Sequence, residues 1–259
     1  MEALRIAASG MMAQQFNTDV VANNLANMNT TGYQRRRTEF SDLLYKVSNR
    51  KDSVSSRAGE SVPSGIESGQ GVRLASVYRV SEQGPLTSTS NTFDLAIQGH
   101  GYFQVLLPNG DTAYSRDGTF QMNGSGQLVT HDGFPVQPGI TIPPGAIDIT
   151  INASGEILVS EEIGAEPSNI GTLQIATFPN QGGLEAIGDK LYRETEASGL
   201  ATVNNPGNPG YGMILQGYVE SSNVDPIAEI AALISAQRAY EMNSKVIQTA
   251  DQMMSVSRK

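Results

Sequence analysis

The 259-residue chain contains no cysteine and no tryptophan. The first absence excludes disulfide staples and thiolate metal sites, and it suits a chain that meets an oxidising compartment. Aromatic residues are sparse, and there are two histidines, His100 and His131, both in sequence contexts typical of β-turns. No HExxH, CxxC, GxSxG or P-loop pattern occurs. The glycines of "QGHGYF" (98–103) do not extend to GxGxxG, and no helical pattern follows them. Asp111, Asp117 and Asp132 do not follow EF-hand spacing, and Asp-Gly turns account for two of them. No catalytic site, metal site or cofactor is therefore expected.

Positive charge is scarce as well: 17 Lys and Arg stand against 26 Asp and Glu, a net charge of −9. Nucleic-acid binding needs clustered cations to neutralise phosphate, so nucleic acid is not an expected partner. No run approaches the ~20 apolar residues of a membrane span, so no membrane insertion is expected. The N-terminus has one Arg and no apolar h-region, so a cleavable secretory signal is not expected either.

What is present is two amphipathic ends around a different middle. Residues 3–28 read as a helix with Leu4, Ala8, Met11, Gln15, Thr18, Ala22 and Leu25 at alternating spacings of four and three. Ile6, Met12, Phe16 and Val20 widen its apolar surface, and Gly10 is its only glycine. Residues 226–256 read as a second helix, with Asp225 as N-cap and Pro226 at the first helical position. Its stripe runs Leu233, Ala236, Ala239, Tyr240, Asn243, Val246, Ile247, Ala250, Met253 and Met254, while Ile227, Ile230, Ala231 and Ile234 face elsewhere. One narrow seam cannot absorb both rows.

From about Val72 to Glu194 the period switches to two, as in Leu95 and Ile97, then Phe103, Val105 and Leu107, then Ile147, Ile149 and Ile151. Turn signals lie between: Asn109-Gly110, Asp117-Gly118, Asn123-Gly124, Asp132-Gly133 and Ser154-Gly155. Short strands with such turns predict an antiparallel sandwich or barrel-like domain. Two connectors, 46–71 and 197–212, are rich in Gly, Ser or Asn and poor in large apolar groups, and read as irregular.

The stretch "NNLANMNTTGYQRRR" (23–37) holds four asparagines within seven residues. Asn27 and Asn29, with Thr30, Thr31 and Gly32, can end the first helix and turn the chain. Asn23 and Asn24 still lie inside it, where Asn has poor propensity, so their side chains are expected to hydrogen-bond a neighbouring helix. Both apolar stripes are lean, containing Gln15, Thr18, Asn243 and many alanines. Two readings follow: a monomer with its end helices docked on the β domain, or helices that pack among many copies of the chain in a helical polymer. A third reading, a β-domain binding module, rests on Tyr102, Tyr114 and Phe134 as candidate exposed aromatics.

Four stretches carry a resemblance. "SGMMAQQFNTDVVANNLANMNTTGYQRRRTEF" (9–40) resembles the N-terminal signature of bacterial flagellar rod and hook proteins. "LQGYVESSNVDPIAEIAALISAQRAYEMNSKVIQTADQMM" (215–254) resembles their C-terminal signature. "FDLAIQGHGYFQV" (93–105) and "YSRDGTFQMNGSGQLVTHDGFPV" (114–136) continue the likeness through the middle.

The resemblance implies an α+β fold. Long N- and C-terminal helices (1–31 and 225–259) pair in a coiled-coil-like inner tube, an intermediate layer (32–71 and 197–224) follows, and an outer antiparallel β domain (72–196) lies outside. It implies a structural, non-enzymatic subunit that polymerises with itself and joins other rod and hook proteins end to end. It also implies passage through peptidoglycan-ring and outer-membrane-ring proteins across the periplasm, and delivery by the flagellar type III export apparatus. A segment at 46–63 marks a straight, stiff rod rather than a flexible hook. The subunit-interface residues so nominated are Leu4, Ala8, Met11, Gln15, Asn23, Asn24, Leu25 and Asn27 at one end. At the other they are Asn223, Ile227, Ile230, Leu233, Ile234, Tyr240, Asn243, Val246, Ile247 and Met253.

Overall fold

A computed structural model describes residues 2–49, 66–161 and 166–256. It is an α+β chain with one long helix at each end and many short antiparallel strands between them. It divides into two units. One contains both helices and the segment 36–79; the other contains 27–35 and 80–224.

In the helical unit, α1 spans Glu2–Ala26 and α2 spans Pro226–Val256. The start of α2 follows its sequence. The Asp225 carboxylate accepts from the Ile227 amide at 2.9 Å and from the Ala228 amide at 3.3 Å, which satisfies two of the donors a helix start leaves free. The two helices pack against each other. Gly10 marks a close approach: a Cβ there would lie 2.8 Å from the Asn243 side-chain nitrogen.

The segment after α1, expected as irregular connector, is instead an antiparallel ribbon. Arg36–Asp42 pairs with Val72–Arg79, and Tyr45–Asn49 pairs with Ile66–Gly69. Both pairs share one register, with Asp42 opposite Val72 and Tyr45 opposite Gly69. The ribbon runs back along α1. Thr38 donates to Asn17 at 2.8 Å, the Val72 amide donates to Ser9 at 3.3 Å, and Arg5 donates to Gln70 at 3.0 Å. The missed signal is composition: Ser, Thr, Arg and Glu alternate here with few large apolar residues, because the ribbon is anchored largely by polar contacts. Most of the 46–63 segment lies outside the described residues.

The β-rich unit holds an open six-stranded sheet and a three-stranded one. The larger sheet runs Glu185–Gly188, Leu191–Arg193, Thr112–Ser115, Tyr102–Leu106, Ile175–Thr177, Thr202–Asn204, with every neighbour antiparallel. The smaller joins Asp148–Ile151, Glu156–Ser160 and Ser168–Thr172. A single core of Leu95, Ile97, Phe103, Phe120, Ile157, Leu173, Ile175 and Ile214 draws on both sheets and on Leu95–Gln98, which pairs with Met213–Gln216. At about 1.5–3 kcal/mol per fully buried large side chain, this core dominates the stability of the unit.

Two details depart from the sequence reading and a third refines it. Ala96 is buried along with Leu95 and Ile97, so this strand is covered on both faces rather than alternating. Ile147 is exposed although Ile151 is buried. In the "NGSG" turn it is Gly126, not Gly124, that takes positive φ, and a Cβ there would meet the Ile142 carbonyl oxygen.

Candidate assembly surface

The rows on α1 sort themselves by what they touch. Ala7, Ala13, Val21 and Asn24 are buried, and Leu4, Met11, Gln14, Thr18 and Leu25 are half-buried. The row that alternates with Leu4, Met11, Thr18 and Leu25 is therefore Ala7, Gln14 and Val21. The sequence reading had placed Gln15 and Ala22 in the seam, and both are exposed. The cause is that α1 has two covered faces, one toward α2 and one toward the ribbon, so no single stripe fits it. Ala8 is half-buried beside this row, and Met12 and Phe16 are left outside.

The inner positions of the α2 stripe fall where spacing placed them. Ala236 and Ala250 are buried, and Leu233, Ala239, Asn243 and Ile247 are half-buried. The second row lies roughly half a turn away at ~100° per residue: Ile227 is 81 % exposed, and Ile230 and Ile234 are exposed with it. Met242, Val246 and Met253 are also exposed, on a row about a quarter-turn further round toward the C-terminal half, and Tyr240 is exposed at the edge of the inner face. So many large apolar side chains exposed on one helix are what an interaction surface presents. Met242 was missed by the sequence reading because it sits outside both counted rows.

The asparagines act within the chain. Asn24, fully buried, treats Arg36 as a strand would: its Oδ1 accepts from the Arg36 amide at 2.9 Å and its Nδ2 donates to the Arg36 carbonyl at 2.8 Å. The same Nδ2 donates to Glu229 of α2 at 3.3 Å. The expected bond to a neighbouring helix is thus present, but the main duty of Asn24 is to hold the ribbon. Asn23 is exposed. Asn27 closes the turn after α1 by accepting from the Thr30 amide at 3.1 Å through its carbonyl. Gly32 then takes positive φ at 66°.

Asn223 performs a matching task in the β-rich unit. Its Oδ1 accepts from the Arg35 amide at 2.7 Å, and its Nδ2 donates to the carbonyls of Val80 at 3.0 Å and Glu82 at 2.9 Å. Consecutive residues Arg35 and Arg36 are therefore held by asparagines from opposite ends of the sequence.

The sequence reading gave no role to Arg116 and Glu220, which form a buried ion pair at 2.8 Å. Arg116 also donates to the carbonyls of Gly99 at 2.9 Å and Gly101 at 2.6 Å, and the Gly84 amide donates to Glu220 at 3.1 Å. Burial pushes the Glu220 carboxyl up from its ordinary range, and Arg116 and the Gly84 amide pull it back. The pair fastens the strands near both ends of the unit. Lys190, at positive φ in the turn after Glu185–Gly188, pairs with Asp117, which also accepts from Thr31 at 2.9 Å.

Neither Tyr102 nor Tyr114 is available as an exposed aromatic. Both are buried in a cluster with Phe178 and Tyr192, in edge-to-face contacts of 4.8 to 6.0 Å. Burial and the neighbouring Glu194 push the Tyr114 hydroxyl up to about 12. Phe134 is half-buried against Val105, Ala113 and Leu191. Among the described residues, no group of three or more His, Cys, Asp or Glu is placed to hold a metal ion.

Comparisons with known proteins agree with the motifs at both ends and in the middle. Residues 4–34 match the family model of flagella basal body rod proteins. Residues 96–159 match that of the flagellar hook protein FlgE/F/G D1 domain, and 215–257 match the flagellar basal body rod FlgEFG protein C-terminal model. The chain is 59 % identical over 254 residues to the flagellar basal-body rod protein FlgG of Caulobacter vibrioides, covering 98 % of this chain and 97 % of that one. It is 50 % identical to FlgG of Agrobacterium fabrum, with 99 % and 98 % covered. To FlgG of Bacillus subtilis it is 36 % identical, with 95 % and 94 % covered. The chain belongs to the FlgG family of flagellar basal-body rod proteins.

Proposed function

We propose that this chain is a structural subunit that polymerises into the distal rod of the flagellar basal body, a drive shaft that carries torque from motor to hook. The observation that carries the reading is the exposed apolar surface of α2, with Ile227, Ile230, Ile234, Met242, Val246 and Met253 all outside the contact with α1. Family membership at high identity supports it. In this reading α1 and α2 form a coiled-coil-like inner layer around the export channel. Residues 32–71 and 197–224 lie in an intermediate layer, which the ribbon strand Val72–Arg79 joins, and the rest of the β domain of 72–196 lies outside.

Leu4, Ala8, Met11, Asn24, Leu25, Leu233, Asn243 and Ile247 then shape each subunit's own helix pair as well as its fit to neighbours. Gln15, Asn23, Ile227, Ile230, Ile234, Tyr240, Val246 and Met253 are the complementary set at subunit contacts, while Asn27 and Asn223 serve the chain's own turns. The subunit would reach its place through the flagellar type III apparatus and meet rod, hook and ring proteins across the periplasm. The 46–63 segment would stiffen the rod.

The test is assembly of the purified full chain, followed by sedimentation and electron microscopy. I230D with I234D is expected to abolish filaments while leaving the circular dichroism spectrum and the melting of the monomer unchanged. Leu233→Asp is a poorer probe, because Leu233 is half-buried and the change also injures the monomer. Normal filaments from I230D/I234D would overturn the reading.

A further inference from the structure

Charge is divided unevenly along this chain. Residues 80–224 carry fifteen acidic and three basic residues. All three basic residues are already committed within the β-rich unit: Arg116 to Glu220, Lys190 to Asp117, and Arg193 to Glu185. Fifteen less three leaves twelve acidic charges without a cation from 80–224. Several lie exposed, among them Asp132, Asp148, Glu166, Glu194 and Glu196.

The described parts of the ribbon, 36–49 and 66–79, have the opposite balance, with five basic and three acidic residues. Arg36, Arg37 and Arg73 are exposed there. Register brings Arg36 opposite Arg79, which concentrates positive charge at that end of the pair. At the ribbon bend Leu44 is 86 % exposed, with Tyr45 exposed beside it. Among the described residues, the most basic part of an acidic chain is thus a two-stranded ribbon that presents exposed guanidinium groups and an uncovered apolar bend.

We propose that the ribbon of one copy docks on the acidic β-rich unit of a second copy, with Arg36, Arg37 and Arg73 facing its surface carboxylates. Charges within one sequence are complementary: identical subunits carry both halves of the contact, so the contact is heterologous and propagates. It rests on the polymer reading above and adds which surfaces meet and what draws them together. Surface attractions of this kind are screened over about 8 Å at physiological salt. Ribbon docking is therefore salt-sensitive, whereas contacts through Ile227, Ile230 and Ile234 are not.

The experiment uses the full chain carrying R37K and R73K, which keep the charge and supply amines. Equal amounts of ¹⁴N- and ¹⁵N-labelled protein are mixed, assembled at 50 mM NaCl and treated with a zero-length carbodiimide cross-linker. Mass spectrometry is expected to find mixed-isotope links from the amines introduced at positions 37 and 73 to carboxylates within 80–224, reduced at least tenfold at 500 mM NaCl. A second variant, R36E/R37E/R73E, is expected to raise the critical concentration for assembly about tenfold at 50 mM NaCl with an unchanged monomer spectrum. Links confined to one isotope would show an intrachain contact and overturn the proposal. Assembled polymer with no ribbon-to-β links would overturn it while leaving the polymer reading standing. Absence of polymer from the unaltered chain at either salt concentration would remove both.

Discussion

In the β-rich unit Phe103, Ile157 and Ile175 are wholly buried, whereas on α2 Ile227 is 81 % exposed and Ile230 and Ile234 are exposed with it. The first unit buries its apolar residues inside itself. The second buries mostly alanines along α2 and leaves Ile227, Ile230 and Ile234 outside. Ala236 and Ala250 let α1 come close, and Gly10 permits the approach of Asn243. A helix stabilised mainly by packing needs a larger covered face than alanines supply. The lesson is that the β-rich unit buries a large apolar core within itself, whereas the helical unit leaves much of its apolar surface exposed.

The contrast can be broken at the core. Phe103→Ala is expected to destabilise the β-rich unit by about 3–5 kcal/mol through the cavity it leaves. Ile227→Ala is expected to change monomer stability by no more than about 0.5 kcal/mol. Urea unfolding followed by circular dichroism measures both, and equal effects would erase the distinction. Next in size is the buried ion pair. Arg116→Met strands Glu220 and is expected to cost about 3–5 kcal/mol, while Arg116→Met combined with Glu220→Leu recovers most of the loss. A double-mutant cycle reads the coupling directly.

Asn24→Ala tests the polar attachment of the ribbon. It removes both bonds to the Arg36 backbone, and the loss is expected to be about 1–3 kcal/mol. Amide exchange over Arg36–Asp42 should accelerate, with no change over Tyr102–Leu106. Asp225→Ala removes the cap of α2 at a cost of about 1 kcal/mol, visible as fraying of the first turn by amide exchange.

The smallest effect at neutral pH comes from Tyr114, whose hydroxyl is raised from 10.0 to about 12 in the fold. A raised folded value means that its contribution is complete below pH 10 and is lost progressively toward pH 12. Stability measured across that window should fall less steeply in Tyr114→Phe than in the unaltered chain. An identical slope would show that Tyr114 is not held neutral by burial and Glu194.

Both helices, the cap at Asp225 and the strand-rich middle were legible in the sequence, because periodicity and turn chemistry are local. The inner part of the α2 stripe was also legible, since that helix has one covered face and one free one. The α1 stripe was misplaced because two different neighbours cover it, and no single period describes two faces. The first half of the ribbon was read as connector because polar side chains hold it, and hydropathy is silent about hydrogen bonds; its second half, Val72–Arg79, was read as strand but assigned to the outer β domain, whereas it groups with the helices.

What the sequence by itself determined is thus the set of elements, their order and the surplus of apolar surface at the ends. Its motifs determined the family. The tertiary structure alone decided which asparagines are clamps and which are exposed, since Asn23 and Asn24 differ only in what approaches them. It also decided that Arg116, in a turn-like stretch, would meet Glu220 from 104 residues away. Burial and partnership depend on contacts between distant segments, and those exist only once the chain has folded.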